Sequence, residues 1–236
     1  MRIVSAMSEV QARAREAPAA ELEQLPHRYT AAMNRRLALV FALTAVAAAL
    51  AGVVAARLVG GHGGVPLVSG TWLPSRRPVA EFHLEDLSGQ GFTLQNLRGH
   101  PTLLFFGFTH CPDVCPITLA TLAQAQRTVP LPGAQVVFIS IDPQRDSAAN
   151  MSEYLSAFSK DFIGARGDEA ALGPLLKSLG AIAERERLPD GNYTLDHSAT
   201  LYLLDGQARL AAVFSPPFKT ADLTADLRRI ATDASL

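Results

Sequence analysis

Cys111 and Cys115 are the only two cysteines of the chain, and they stand four apart in Phe106-Gly107-Phe108-Thr109-His110-Cys111-Pro112-Asp113-Val114-Cys115-Pro116. Two thiols this close can cycle to a disulfide or hold a soft metal ion. A purely structural disulfide is the poorer explanation, because a loop this short removes little entropy from the unfolded chain and makes a weak staple. With no further cysteine in the sequence, four-thiolate zinc sites and cysteine-ligated iron–sulfur clusters are excluded. Two thiolates remain a fitting start for Cu(I) or zinc, given a further donor.

Each cysteine precedes a proline, which pushes its backbone away from the α region. Pro116 suits the first turn of a helix, and Leu119, Leu122 and Ala123 follow at helical spacing. Cys115 is therefore expected at the N-cap, with Cys111 in the turn before it. The helix dipole and the free N–H groups at that end favour an anion, so the Cys115 thiolate is expected to form easily.

The elements that must hold this pair follow from short apolar runs alternating with helical patterns. Residues 82–84 and 92–94 read as a hairpin across Ser88-Gly89-Gln90-Gly91, residues 102–108 and 135–141 as buried strands, and residues 200–204 with 210–214 as a second hairpin over Asp205-Gly206. Helices are expected at 116–126, 147–158, 169–179 and 220–232. Strands alternating with helices and closing on a hairpin predict an α/β fold with a mixed sheet.

Ahead of this region, residues 37–56 (LALVFALTAVAAALAGVVAA) form twenty consecutive uncharged positions between Arg35-Arg36 and Arg57. That is long enough for one transmembrane helix. Thirty-six residues precede it, long for the n-region of a signal peptide. Arg28, Arg35 and Arg36 before the run, against Arg57 and Arg76 after it, place the N-terminus inside by the positive-inside rule. The expected organisation is an N-terminal cytoplasmic tail at 1–36, a transmembrane helix at 37–56, a Gly/Pro-rich linker at 57–78 and a soluble domain at 79–236. The tail carries Glu9, Glu16, Glu21 and Glu23, too acidic for a mitochondrial transit peptide. A net charge of −1 gives no basis for binding nucleic acid.

Three segments carry a resemblance to a known family. They are Phe105 to Pro116, then Ile139-Ser140-Ile141-Asp142-Pro143-Gln144-Arg145-Asp146, then Asp196-His197-Ser198-Ala199 before Leu201-Tyr202-Leu203-Leu204-Asp205. In this order they resemble the Sco/SenC family, membrane-tethered copper proteins of cytochrome c oxidase assembly with a thioredoxin-like fold. The resemblance implies copper, as Cu(I) or Cu(II), on Cys111, Cys115 and His197. It implies delivery to the dinuclear copper site of the oxidase's copper-bearing subunit, with other copper chaperones or thiol reductants as further partners. It places the protein in the inner (cytoplasmic) membrane as a single-span protein, its soluble domain facing the periplasm. The stretch Ala181 to Arg187 departs from the family's tyrosine- and lysine-rich approach to the histidine.

The competing function is a thiol–disulfide oxidoreductase that uses the same pair to reduce the cysteines of the copper site. Thioredoxin-type enzymes have two residues between their cysteines where this chain has three, and a reductase has no use for His197. A redox or copper sensor acting through partner binding is a third reading. Among the remaining candidates, Asp113 or Asp196 could add a carboxylate to the metal, with Asp196 expected rather to orient the His197 ring. His110 is set aside, because adjacent side chains on an extended segment point to opposite faces. Asp142 and Asp146 are read as structural, Asp146 as a helix N-cap.

Overall fold

The computed structural model describes residues 35–60 and 66–232, apart from Pro132 and Asp190. The backbone falls into two units, divided after Gly61. The first contains helix α1, Arg35–Gly60. Its described side chains, at 39–54, are all exposed, and Leu39, Phe41, Leu43, Val46, Leu50 and Val54 are each more than half so. Apolar side chains on every face, unpacked, are the mark of a helix without an amphipathic seam. Among the described residues no helix is long and apolar enough to cross a membrane. The expected tail at 1–36 lies almost wholly outside the described residues.

The second unit is a mixed sheet with helices. Its strands are β1 (Gly70–Pro78), β2 (His83–Asp86), β3 (Gly91–Thr93), β4 (Thr102–Gly107), β5 (Gln135–Ser140), β6 (Ile163–Arg166), β7 (Ala183–Arg187), β8 (Tyr193–His197), β9 (Leu201–Leu204) and β10 (Arg209–Phe214). The helices are α2 (Val114–Thr128), α3 (Ala148–Ser156), α4 (Glu169–Leu179) and α5 (Thr220–Ala231). Eight strands form one sheet in the order β1-β10-β9-β4-β5-β6-β2-β3, while β7 and β8 pair only with each other. The β4–β5 and β5–β6 pairs are parallel, and β4 meets β9 antiparallel.

β4 is buried at every position, with Leu103, Leu104, Phe105 and Phe106 at 0 % exposure. A central strand covered on both faces needs such an unbroken apolar run rather than alternation. Its parallel partner β5 leads, through Asp142 to Asp146, into α3. α4 begins where Asp168 accepts a bond from the Ala171 N–H, and ends where Gly180 takes the left-handed conformation at φ 69°.

The expected α/β architecture and both hairpins are present. The linker expected at 57–78 is not one throughout. Gly70–Pro78 is a sheet strand, pairing antiparallel with β10 through Gly70↔Phe214 and Arg77↔Leu210. Just before it, the buried Asp226 carboxylate of α5 accepts bonds from the Val68 N–H, the Ser69 N–H and the Ser69 hydroxyl. Gly and Pro marked that stretch as loop, but an edge strand tolerates both.

Candidate metal centre

The cysteines sit where β4 gives way to α2. After Gly107 the chain turns, the Cys111 N–H donating to the Phe108 carbonyl at 3.2 Å, and α2 starts at Val114 with Asp113 as its N-cap residue. The Asp113 side chain makes no capping bond. Instead the Cys111 sulfur accepts from the Cys115 N–H at 3.4 Å, occupying the place of a cap for a donor that has no partner within the helix. This corrects the expected geometry. Cys115 is the second helical residue rather than the N-cap, and Pro116 is accommodated in the first turn, where a missing N–H costs nothing.

Gly107 makes room for the site. A Cβ built there would lie 2.8 Å from the Cys115 sulfur and 2.7 Å from the Phe138 ring. Cys115 can therefore sit against the end of β4, at 0 % exposure, only because position 107 lacks a side chain. Cys111 is 8 % exposed.

His197 arrives from the opposite side as the last residue of β8. Its Nε2 is 3.6 Å from the Cys115 sulfur, and its Nδ1 lies 3.2 Å from the Ser198 carbonyl oxygen. Phe105 and Phe108 hold the ring edge-on, with centroids 6.2 and 5.8 Å away. The potential ligand atoms of Cys111, Cys115 and His197 all lie within 4.8 Å of one another, the one group among the described residues that could hold a metal ion.

The two thiols differ sharply in acidity. The bond from the Cys115 thiol holds Cys111 well below the ordinary thiol range, aided by His197 and the backbone N–H groups of Asp113 and Cys115 against the opposing effect of burial. Cys115 is pushed up, first by that same bond and then by burial. The easily formed thiolate is thus Cys111, the reverse of the expectation, first because the Cys115 thiol donates to it and then because His197 and the N–H groups at the start of α2 face its sulfur.

The other acidic candidates lie apart. Asp113 and Asp196 are exposed and outside the three-donor group, and the His197 Nδ1 faces the Ser198 carbonyl rather than Asp196. His110 is also outside the group. Its Nδ1 lies 3.0 Å from the Thr109 hydroxyl and 3.8 Å from Asp146. Asp146 is structural but not an N-cap, since Ser147 caps α3. Its buried carboxylate accepts from the Thr109 N–H, the Thr109 hydroxyl at 2.6 Å and the Ser140 hydroxyl at 2.6 Å, tying the cysteine loop to the end of β5.

Sequence reasoning passed over Arg145 and Tyr193. Asp142, fully buried, accepts from Arg145 Nε and from the Tyr193 hydroxyl, the latter at 2.7 Å. The available signal was the period of two in Tyr193-x-Leu195-x-His197, which puts these three on one face of a strand. Leu195 is correspondingly buried, while Asp196 is exposed.

Comparison with known proteins agrees with this arrangement. The SCO1/SenC family model matches residues 74–232. The mitochondrial SCO2 homolog of Danio rerio is 35 % identical over 130 residues, covering 53 % of this chain and 47 % of its own, so the chain spans about half the length of that relative. The copper-bound ScoI structure of Bradyrhizobium japonicum is 38 % identical, covering 64 % of this chain and 98 % of its own at a TM-score of 0.58. The solution structures of apo Sco1 from Thermus thermophilus are 34 % identical, covering 71 % and 99 % at a TM-score of 0.63. Two cysteines at a strand-to-helix turn, a histidine closing on them from a separate hairpin, and a family match over residues 74–232 lead to one assignment: the chain belongs to the SCO1/SenC family and has its thioredoxin-like fold.

Proposed function

We propose that the protein is a membrane-anchored copper metallochaperone, which carries copper on Cys111, Cys115 and His197 and delivers it to the dinuclear copper site of cytochrome c oxidase during assembly. The convergence of two sulfurs and an imidazole nitrogen within 4.8 Å carries this reading. Two thiolates and one imidazole match the preference of Cu(I) for soft, low-coordinate surroundings. Cu(II) would need a further oxygen or nitrogen donor, for which solvent is at hand because His197 is only half-buried. Copper is also the metal named in the Bradyrhizobium relative. An under-coordinated metal suits transfer by ligand exchange, in which an incoming thiolate or imidazole adds as one resident ligand leaves.

Anchoring is part of the proposal. The α1 helix runs on past both ends of its described side chains. Its uncharged stretch at 37–56 would extend about 30 Å, the thickness of a bilayer's hydrocarbon core. The arginine asymmetry favours the N-terminus in the cytoplasm and the sheet domain in the periplasm.

A second reading, thiol–disulfide oxidoreductase, is favoured by the acidic Cys111 beside a hydrogen-bonded Cys115. His197→Ala separates the two, because it removes one metal donor and leaves both thiols. Copper delivery predicts that oxidase activity in cells carrying this variant falls severely, and that Cu(II) retention falls more than Cu(I) retention. The Cys111–Cys115 disulfide should still form. Normal oxidase activity alongside weakened copper binding would reject delivery in favour of the reductase.

A further inference from the structure

His197 rides on a hairpin that the main sheet does not hold. As strands, β7 and β8 pair only with each other, four of the five β7 residues are exposed, and Leu195 is the sole buried position of β8. An isolated two-stranded hairpin is marginal in water. Something must fix its angle if Nε2 is to stay 3.6 Å from the Cys115 sulfur.

The fixing group lies at the other end of β8. The Tyr193 hydroxyl donates to Asp142 Oδ1 at 2.7 Å, and Arg145 Nε donates to Asp142 Oδ2. Arg145 Nη1 also donates to the Tyr193 carbonyl at 3.3 Å. The Arg145 guanidinium lies 4.0 Å from the Tyr193 ring centroid, and Arg185 of β7 lies 4.3 Å from that same centroid. Asp142 is immovable by comparison. It is 0 % exposed, its N–H donates to the Ser140 hydroxyl, and its carbonyl accepts from the Arg145 and Asp146 N–H groups. The same Arg145 lies 5.7 Å from the Phe108 ring, which in turn packs edge-on against His197. One guanidinium therefore touches both the strand that carries His197 and the aromatic wall behind it.

We propose that Tyr193, Arg145 and Asp142 form a latch that positions the His197 hairpin over the cysteine pair, and that opening it is how the third copper ligand is released. The three act through His197 and are positioning residues. The inference rests on the copper reading of the site. A latch on the histidine alone gives the exchange a direction. The cysteines stay fixed in the packed loop, and the imidazole is the donor that can swing away. A charge-assisted bond from a phenol to a buried carboxylate is strong enough to hold a hairpin closed, and breaking it is local.

The test uses the full-length reduced chain in detergent, as wild type, Tyr193→Phe, His197→Ala and the double variant, each loaded with Cu(II) and separately with Cu(I). Tyr193→Phe keeps the ring between the two guanidiniums and deletes only the hydroxyl. It should weaken Cu(II) binding roughly tenfold, the scale expected for loss of a hydrogen bond to a charged group. It should also reduce the imidazole nitrogen coupling in the Cu(II) electron spin-echo spectrum, while Cu(I) affinity and the disulfide potential stay at wild type. In the metal-free protein the amides of residues 193–198 should exchange faster, with the β4 and β5 amides unaffected. In the His197→Ala background, Tyr193→Phe should add nothing to the loss of copper, an effect that a general structural role would not produce. If wild type shows imidazole coupling and Tyr193→Phe matches it in coupling, affinity and exchange, the latch is overturned and the copper site stands. If wild type shows no imidazole coupling, the copper reading and the latch fall together.

Discussion

Cys111 and Cys115 are the same residue type in opposite electrostatic surroundings. The Cys111 sulfur accepts from the first turn of α2 and from its neighbour thiol, whereas the Cys115 sulfur is sealed against the end of β4. On the proposed function, Cys111 is therefore the sulfur expected to meet a metal ion first or to attack a disulfide, with Cys115 following once its proton has left. This asymmetry is measurable without copper. In the reduced metal-free protein at about pH 6, where an ordinary thiol is almost wholly protonated, iodoacetamide should modify Cys111 well before Cys115, read by mass spectrometry of the digest. Equal labelling, or Cys115 first, would contradict the assignment. The identity of the two cysteines was plain in the sequence, but which one faces the helix N-terminus was not. A shift of two residues in the start of α2 exchanges their roles, and proline rules do not fix a boundary that finely.

At the scale of elements, β4, β5 and the β9–β10 hairpin were legible because buried strands must be continuous apolar runs bounded by turn residues. The 169–179 helix was legible to its ends because Asp168 and Gly180 cap it. β7 was not legible, and β8 left only the period of two in Tyr193-x-Leu195-x-His197. Ala183-Glu184-Arg185-Glu186-Arg187 has no apolar face and forms a strand only because Tyr193 to His197 pairs with it. β6 was passed over for another reason, being a four-residue strand held by neighbours on both sides. Helix α1 presents the converse case, a pattern strong in sequence whose solvent is the question. If 37–56 spans the inner membrane with the N-terminus inside, reporter fusions placed after the sheet domain should be active only for a reporter that works in the periplasm. Activity of a cytoplasmic reporter at that position would reverse the topology and remove the sheet domain from the side proposed for oxidase assembly.

For the molecule as a whole, the main sheet serves as a rigid mount. Asp146 and Asp142 fasten the turn before α2 and the β7–β8 hairpin to one spot, the C-terminal end of β5. Donors far apart in sequence, Cys115 and His197, thereby meet at 3.6 Å. The order of the three motifs was readable from sequence, whereas the two buried carboxylates that bring them together were visible only as motif residues without partners. We infer that this mount holds copper on two sulfurs and one imidazole. This is tested most directly by loading the reduced full-length chain with Cu(II), removing excess metal, and measuring copper per chain together with the sulfur-to-copper charge-transfer absorption. The wild type should retain one copper per chain with a strong band, and both Cys111→Ser and Cys115→Ser should lose the band, because a hydroxyl is a hard, weakly acidic donor. A wild type that retains no copper, or either serine variant that retains the wild-type metal and band, would contradict it.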